Sequence, residues 1–154
     1  MEIKLFAMDV DGTLTNGLIN VSSNGEIFKS FNVKDGYGII KLRMNGVIPI
    51  VITSGQTAIN IERFMSLGLT EIHQGVSNKL EILKEIMKKY DCEFANVAYI
   101  GDDENDLECL SLCAQTACPN DSQETVRKSV DYICQNNGGH GAVREFIERI
   151  LINY

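Results

Sequence analysis

Two groups of carboxylates concentrate the reactive chemistry of this sequence: Asp9-Val10-Asp11-Gly12-Thr13 near the amino terminus and Gly101-Asp102-Asp103-Glu104-Asn105-Asp106 in the second half. Brought to one place they would repel strongly, so a cation has to sit between them. The donors are oxygens, with no His or Cys alongside, and that set suits a hard divalent ion such as Mg²⁺, which keeps several waters and takes one or two carboxylates plus a phosphate oxygen. Thr53-Ser54-Gly55 offers hydroxyls and amides to phosphate oxygens, and Lys79, behind Asn78, adds an ammonium. Phosphate chemistry is what these residue types share. A DxDG string also resembles the start of a calcium loop. That loop needs a third acid before the glycine and a Glu six residues beyond it, and this chain has neither.

Residues so far apart must be collected by a scaffold. Segments 5–8, 47–52, 97–100 and, more weakly, 132–134 are short and almost continuously apolar, as strands covered on both faces are. Between them, 58–67, 79–90 and 143–151 space apolar residues by three and four, as at Leu80, Leu83, Ile86 and Met87, which predicts helices. One more helix fits between residue 33 and Thr53, and a short strand between Thr53 and Lys79. The alternation predicts an α/β fold with a doubly wound parallel sheet, whose reactive groups belong at the carboxyl ends of the strands. Segment 15–33 breaks the pattern. Its two Asn-Gly pairs, with β-branched and aromatic residues between, predict a β-hairpin inserted after the first strand. Asn136 to Gly141 is the glycine cluster, and it precedes the last helix.

The 154 residues, 44% hydrophobic and 23% charged, predict one domain over 1–154. With 14 Lys and Arg against 21 Asp and Glu the formal charge is -7, which disfavours nucleic acid and an acidic membrane face as partners. No run approaches the 18 or so apolar residues of a membrane span, and the first residues lack a signal-peptide pattern, so a cytoplasmic location is expected. Cys92, Cys109, Cys113, Cys118 and Cys134 are odd in number and form no CxxC, which predicts buried, reduced thiols.

Asp9-x-Asp11-Gly12-Thr13, Thr53, Lys79 and Gly101-Asp102-Asp103-x-x-Asp106 together resemble the four motifs of the haloacid dehalogenase phosphatase superfamily. FNVKDGYGI, Asn78-Lys79, VAYIGDDENDL and GGHGAVRE extend the resemblance to the short 3-deoxy-D-manno-octulosonate 8-phosphate phosphatase family and its sialic-acid-type 9-phosphate relatives. The resemblance implies a Rossmann-like sheet, Asp9 as nucleophile, and Asp11 as general acid and then base. It implies Mg²⁺ held by Asp9, Asp102 and the Asp11 backbone carbonyl. Thr53 and Lys79 would hold the phosphoryl oxygens, aided by Ser54, Gly55 and Asn78, with Asp103 and Asp106 behind them. The substrate it implies is a small sugar acid phosphate, the eight-carbon one first and a nine-carbon one as the alternative.

No cap domain fits between the motifs. In the relatives a homotetramer covers the mouth instead, which implies that role for 15–33 and 138–144. Those relatives read TG and then a charged residue, whereas this chain reads Thr53-Ser54-Gly55-Gln56. Arg63 and Arg144 are the candidate partners for the sugar carboxylate, and His140 is a third candidate in its glycine loop. A receiver-type regulatory module shares the Asp, Thr, Lys and Mg²⁺ set. It places its acid pair after the first strand and its acceptor Asp later, whereas here DxDGT comes first. A non-catalytic module is disfavoured by the intact Asp9 and Asp11.

Overall fold

The apolar runs become the middle of a six-stranded sheet. In the computed structural model, residues 2–152 are described, apart from the side chains of Glu26 and Ile27. β1 (Leu5–Met8), β4 (Ile48–Ile52) and β6 (Val97–Ile100) are buried almost throughout. Outside them lie β5 (Glu71–His73) on one side and β7 (Gln115–Cys118) and β8 (Tyr132–Ile133) on the other. The order is β5-β4-β1-β6-β7-β8 and every pairing is parallel. The chain winds outward from β1 through β4 to β5, then returns to β6 and winds the other way. The reversal leaves a crevice beyond the carboxyl ends of β1 and β6, where open sheets of this type bind ligands.

β7 escapes the sequence pattern because it opens on Gln115 and Thr116. Asp131 resolves the polarity: its Oδ2 accepts from the Thr116 amide at 2.9 Å and hydroxyl at 2.8 Å. The helices are α1 (Val33–Met44), α2 (Ala58–Ser66), α3 (Lys79–Lys89), the single turns α4 (Leu107–Leu110) and α5 (Glu124–Arg127), and α6 (Ala142–Leu151). Phe6, Met8, Val51 and Ile100 face a core with Ile39, Leu42, Phe64, Phe146 and Ile147, from α1, α2 and α6. Leu5, Ala7, Ile52 and Tyr99 face the opposite core with Leu83, Ile86 and Leu110, from α3 and α4. The alternation of inward residues along each strand thus fills two layers.

Three helices begin on side-chain caps: Asn32 accepts from the Lys34 amide, Thr57 from that of Ile59 and Asn78 from that of Glu81. α6 begins at Gly141, which has no side chain to cap with. Asp35 of α1 substitutes, accepting the Arg144 amide at 2.8 Å. Burial pushes the Asp35 carboxyl up to about 6 against that hydrogen bond.

The hairpin is β2 (Asn20–Ser22) with β3 (Gly25–Phe28), a separate two-stranded sheet and shorter than 15–33. Leu18, Ile19, Val21 and Phe28 are each more than half exposed. Phe31, within segment 15–33 but past β3, packs edge-on against Phe64 at 5.6 Å and anchors the hairpin's foot to the main core. The Ile27 side chain lies outside the described residues. No other segment interrupts the α/β framework among the described residues. Cys109, Cys118 and Cys134 are buried, Cys92 and Cys113 are half-buried, and all five are free thiols.

Candidate active site

β1 ends at Met8, and the next residue, Asp9, is almost fully buried with its amide bonded to the Ile100 carbonyl at 3.1 Å. The chain then turns tightly, with the amides of Thr13, Leu14 and Thr15 all directed at the Val10 carbonyl. Gly12 makes the turn feasible. Its φ is +90°, and a Cβ there would lie 2.1 Å from Asp102 Oδ2. Thr13 donates from its hydroxyl to Asp102 Oδ1 at 2.8 Å and so ties the first carboxylate cluster to the second. Against this turn lies the glycine loop, where Gly139 donates to the Thr13 carbonyl at 3.1 Å and a Cβ on Gly138 would strike the Gly12 carbonyl.

Lys79, the first residue of α3, reaches back under the sheet edge. Its ammonium, with a side chain only 2% exposed, lies 2.8 Å from Asp9 Oδ1 and 2.7 Å from Asp106 Oδ1. Burial opposes that charge, but Asp9 and Asp106 outweigh it and hold the Lys79 pKa above its ordinary value. Asp106 is saturated. Oδ1 also accepts the Tyr99 hydroxyl at 2.8 Å, and Oδ2 accepts the Asp102 and Asp103 amides at 3.0 and 3.3 Å.

One carboxylate oxygen from each of Asp9, Asp102 and Asp106 lies within 4.8 Å of the others. Burial, then neighbouring negative charge, raises both Asp9 and Asp102 above the ordinary carboxylate range. With Asp106 committed to Lys79, Tyr99 and two amides, Asp9 and Asp102 are the pair with lone pairs to offer. Two mutually repelling carboxylates, Asp9 buried and Asp102 half-buried, offering only oxygen donors, fit a hard divalent cation.

An open recess of about 400 Å³ lies over these groups, lined by Asp9, Asp11, Thr53 and Gly55 with Ser54, Asp103 and Asn105 at its rim. Thr53, at the end of β4, is fixed by its amide on the His73 carbonyl. Ser54 accepts from the Asn105 amide group at 3.2 Å, linking the two loops across the mouth. Asp103 is exposed and caps the turn through the Glu104 amide. Asn78 spends its side chain capping α3.

Three sequence candidates stand elsewhere. Arg63 lies over the Phe31 ring, 5.8 Å from its centroid, and lines an adjoining recess of about 590 Å³ with Lys29, Ile59 and Glu62. Arg144 is held between α1 and α6, donating to Glu148 and lying over Tyr37. His140 is exposed on the glycine loop. Sequence reasoning passed over Tyr99 and Lys29. The first had a signal, a hydroxyl in an otherwise aliphatic buried run, whereas a single Lys in a hairpin has none.

Comparison with known proteins agrees with this geometry. The model of the haloacid dehalogenase-like hydrolase family matches residues 57–147. 3-Deoxy-D-manno-octulosonate 8-phosphate phosphatase KdsC of Escherichia coli (strain K12) is 38% identical over 151 residues, which cover 97% of this chain and 80% of that protein. The crystal structure of the phosphatase of that name from Moraxella catarrhalis, in complex with magnesium ion, phosphate ion and KDO, is 41% identical. It superposes with a TM-score of 0.94 over 97% of this chain and 86% of that one. The cobalt-bound form from Haemophilus influenzae is 34% identical, with a TM-score of 0.95 over 98% of this chain and 84% of that one.

Proposed function

We infer the chemistry of this site from its family, for the chain belongs to the haloacid dehalogenase-like hydrolases and, within them, to the 3-deoxy-D-manno-octulosonate 8-phosphate phosphatases. It is a Mg²⁺-dependent phosphoric monoester hydrolase, and it releases phosphate from 3-deoxy-D-manno-octulosonate 8-phosphate. The observation that carries the residue roles is the placement of Asp9. It is the carboxylate at the end of the central strand, held from below by Lys79 and facing a recess whose other wall is Asp11.

An Asp9 oxygen attacks phosphorus, and the bond from phosphorus to the sugar oxygen breaks. Asp11 gives its proton to the departing alkoxide, which leaves an aspartyl-phosphate and an Asp11 carboxylate. That carboxylate then takes a proton from water, the water oxygen attacks phosphorus, and the bond to Asp9 breaks. Phosphate leaves and Asp11 is protonated again. Thr53, with the Ser54 and Gly55 amides, and Lys79 meet the charge that spreads over the phosphoryl oxygens. Asp9, Asp102 and the Asp11 backbone carbonyl would hold Mg²⁺, which screens the repulsion between nucleophile and phosphate. Asp106 positions Lys79, and Asp103 sits at the rim.

The adjoining recess takes the sugar body, with Arg63 as partner for its carboxylate. Arg144 and His140 sit beyond it, where a neighbouring subunit would bring them to bear. We also propose a homotetramer, supported by the exposed apolar hairpin, and a cytoplasmic location, supported by five free thiols and by the absence of any helix long and apolar enough to cross a membrane among the described residues. Phosphate release measured as kcat/KM across eight- and nine-carbon ulosonic acid phosphates tests the substrate. Preference for a nine-carbon ester would overturn it.

A further inference from the structure

Lys29 follows β3 directly, so the returning strand of the hairpin delivers it to the catalytic recess. Its side chain is 2% exposed, and its ammonium lies 2.8 Å from Asp11 Oδ1. A buried lysine charge is costly unless it is paired. Here the pairing fixes a carboxylate whose own side chain is 29% exposed and would otherwise rotate in water. The other oxygen of Asp11 is left facing the loop after β4, since a Cβ built on Gly55 would lie 3.0 Å from Oδ2. Thus one oxygen is clamped and the other is presented across the recess that Asp9 shares. On the far side of Lys29, Phe31 is pinned against Phe64, so the clamp is anchored to the core as well as to the hairpin.

We propose that Lys29 is a positioning residue for the second half of the reaction: it holds the Asp11 carboxylate, formed when the leaving group takes its proton, in line to deprotonate the water that attacks the aspartyl-phosphate. The inference rests on the acid–base reading of Asp11. It concerns where the carboxylate points, because a base has to lie within hydrogen-bond reach of the proton it removes. Formation of the aspartyl-phosphate from an aryl ester, whose leaving group departs without a proton, does not need the clamp. Its hydrolysis does.

The test is Lys29→Met, close in shape and uncharged, assayed with p-nitrophenyl phosphate and Mg²⁺. Steady-state kcat should fall at least about tenfold while kcat/KM stays within about threefold, and rapid mixing should show a burst of nitrophenolate approaching one per active site. Lys29→Arg, which keeps the charge, should restore turnover and abolish the burst. Equal falls in kcat and kcat/KM without a burst, unchanged kinetics, or failure of the arginine rescue would each overturn the proposal. Asp11→Asn run alongside separates the two readings. If it turns over the aryl ester like wild type, the role of Asp11 itself fails; if it stalls after one turnover while Lys29→Met does not, only the role of Lys29 fails.

Discussion

As the proposed nucleophile, Asp9 stands beside two other acids, and its surroundings make that tolerable. Burial and Asp106 push its pKa up, whereas Lys79 at 2.8 Å pulls it down. Asp9→Asn keeps the shape and the Lys79 contact but removes the attacking oxygen anion. Its kcat should drop at least about 10³-fold with the thermal unfolding midpoint little changed, read by phosphate release and calorimetry. A second buried acid far from the site has the opposite character. Burial opposes the charge of Glu71, but Lys89, the Tyr90 hydroxyl at 2.6 Å and His73 at 2.9 Å outweigh it and hold its pKa near 2, below its ordinary 4.5. A carboxylate depressed in the fold contributes stability that is complete above pH 4.5 and is lost as pH falls toward 2. Glu71→Gln should therefore lower the unfolding midpoint at pH 7 and flatten its decline between pH 4.5 and 2. A parallel decline in both proteins would show that Glu71 contributes nothing to it.

At the scale of elements, the strands that bear Asp9, Thr53 and Asp102 were legible because each is buried on both faces and so reads as an unbroken apolar run. β7 was not legible, since its buried Thr116 is satisfied by Asp131, fifteen residues away, and no local pattern carries such a contact. The four motif positions could be read because their chemistry demands particular residue types. Tyr99, the partner of Asp106, left the signal of a hydroxyl in an otherwise aliphatic buried strand, whereas the partner of Asp11 could not be read, because a Lys in a hairpin acquires meaning only when the fold brings it to a carboxylate. The cap of α6 is of the same kind, with Asp35 replacing a side chain that Gly141 lacks. Asp35→Ala should cost about 1–2 kcal/mol in chemical unfolding at pH 7. Asp35→Asn retains an acceptor for the Arg144 amide and removes a charge whose pKa burial raises from 3.8 to about 6. An acid raised in the fold penalises stability progressively as pH climbs through that window and fully above it. The Asn variant should match wild type below pH 4 and equal or exceed it above pH 6, and a loss at pH 7 as large as that of Ala would refute the capping role.

The whole molecule leaves its recess open and its hairpin uncovered, and the proposed homotetramer would answer both. A site that spreads few contacts over a large sugar acid gains little specificity from its own chain. A two-stranded ribbon with Val21 65% and Phe28 53% exposed is marginal alone in water. In the proposed homotetramer, hairpins from several copies would pack against one another, burying the ribbon and bringing foreign residues to the recess mouth under closed symmetry. Because Phe31 is engaged with Phe64 within the chain, the residues to change are those that face outward. Val21→Ser with Phe28→Ser should give smaller species by sedimentation while the fold, whose cores lie on the main sheet, stays intact. In that variant kcat/KM for the sugar phosphate should fall at least tenfold more than for p-nitrophenyl phosphate, since Asp9, Asp11, Thr53, Lys79 and Asp102 all come from one chain and the aryl ester asks little of the mouth. A wild-type protein that sediments as a monomer at assay concentration, with full activity on the sugar phosphate, would remove the shared lid and leave the adjoining recess beside Arg63 to account for specificity alone.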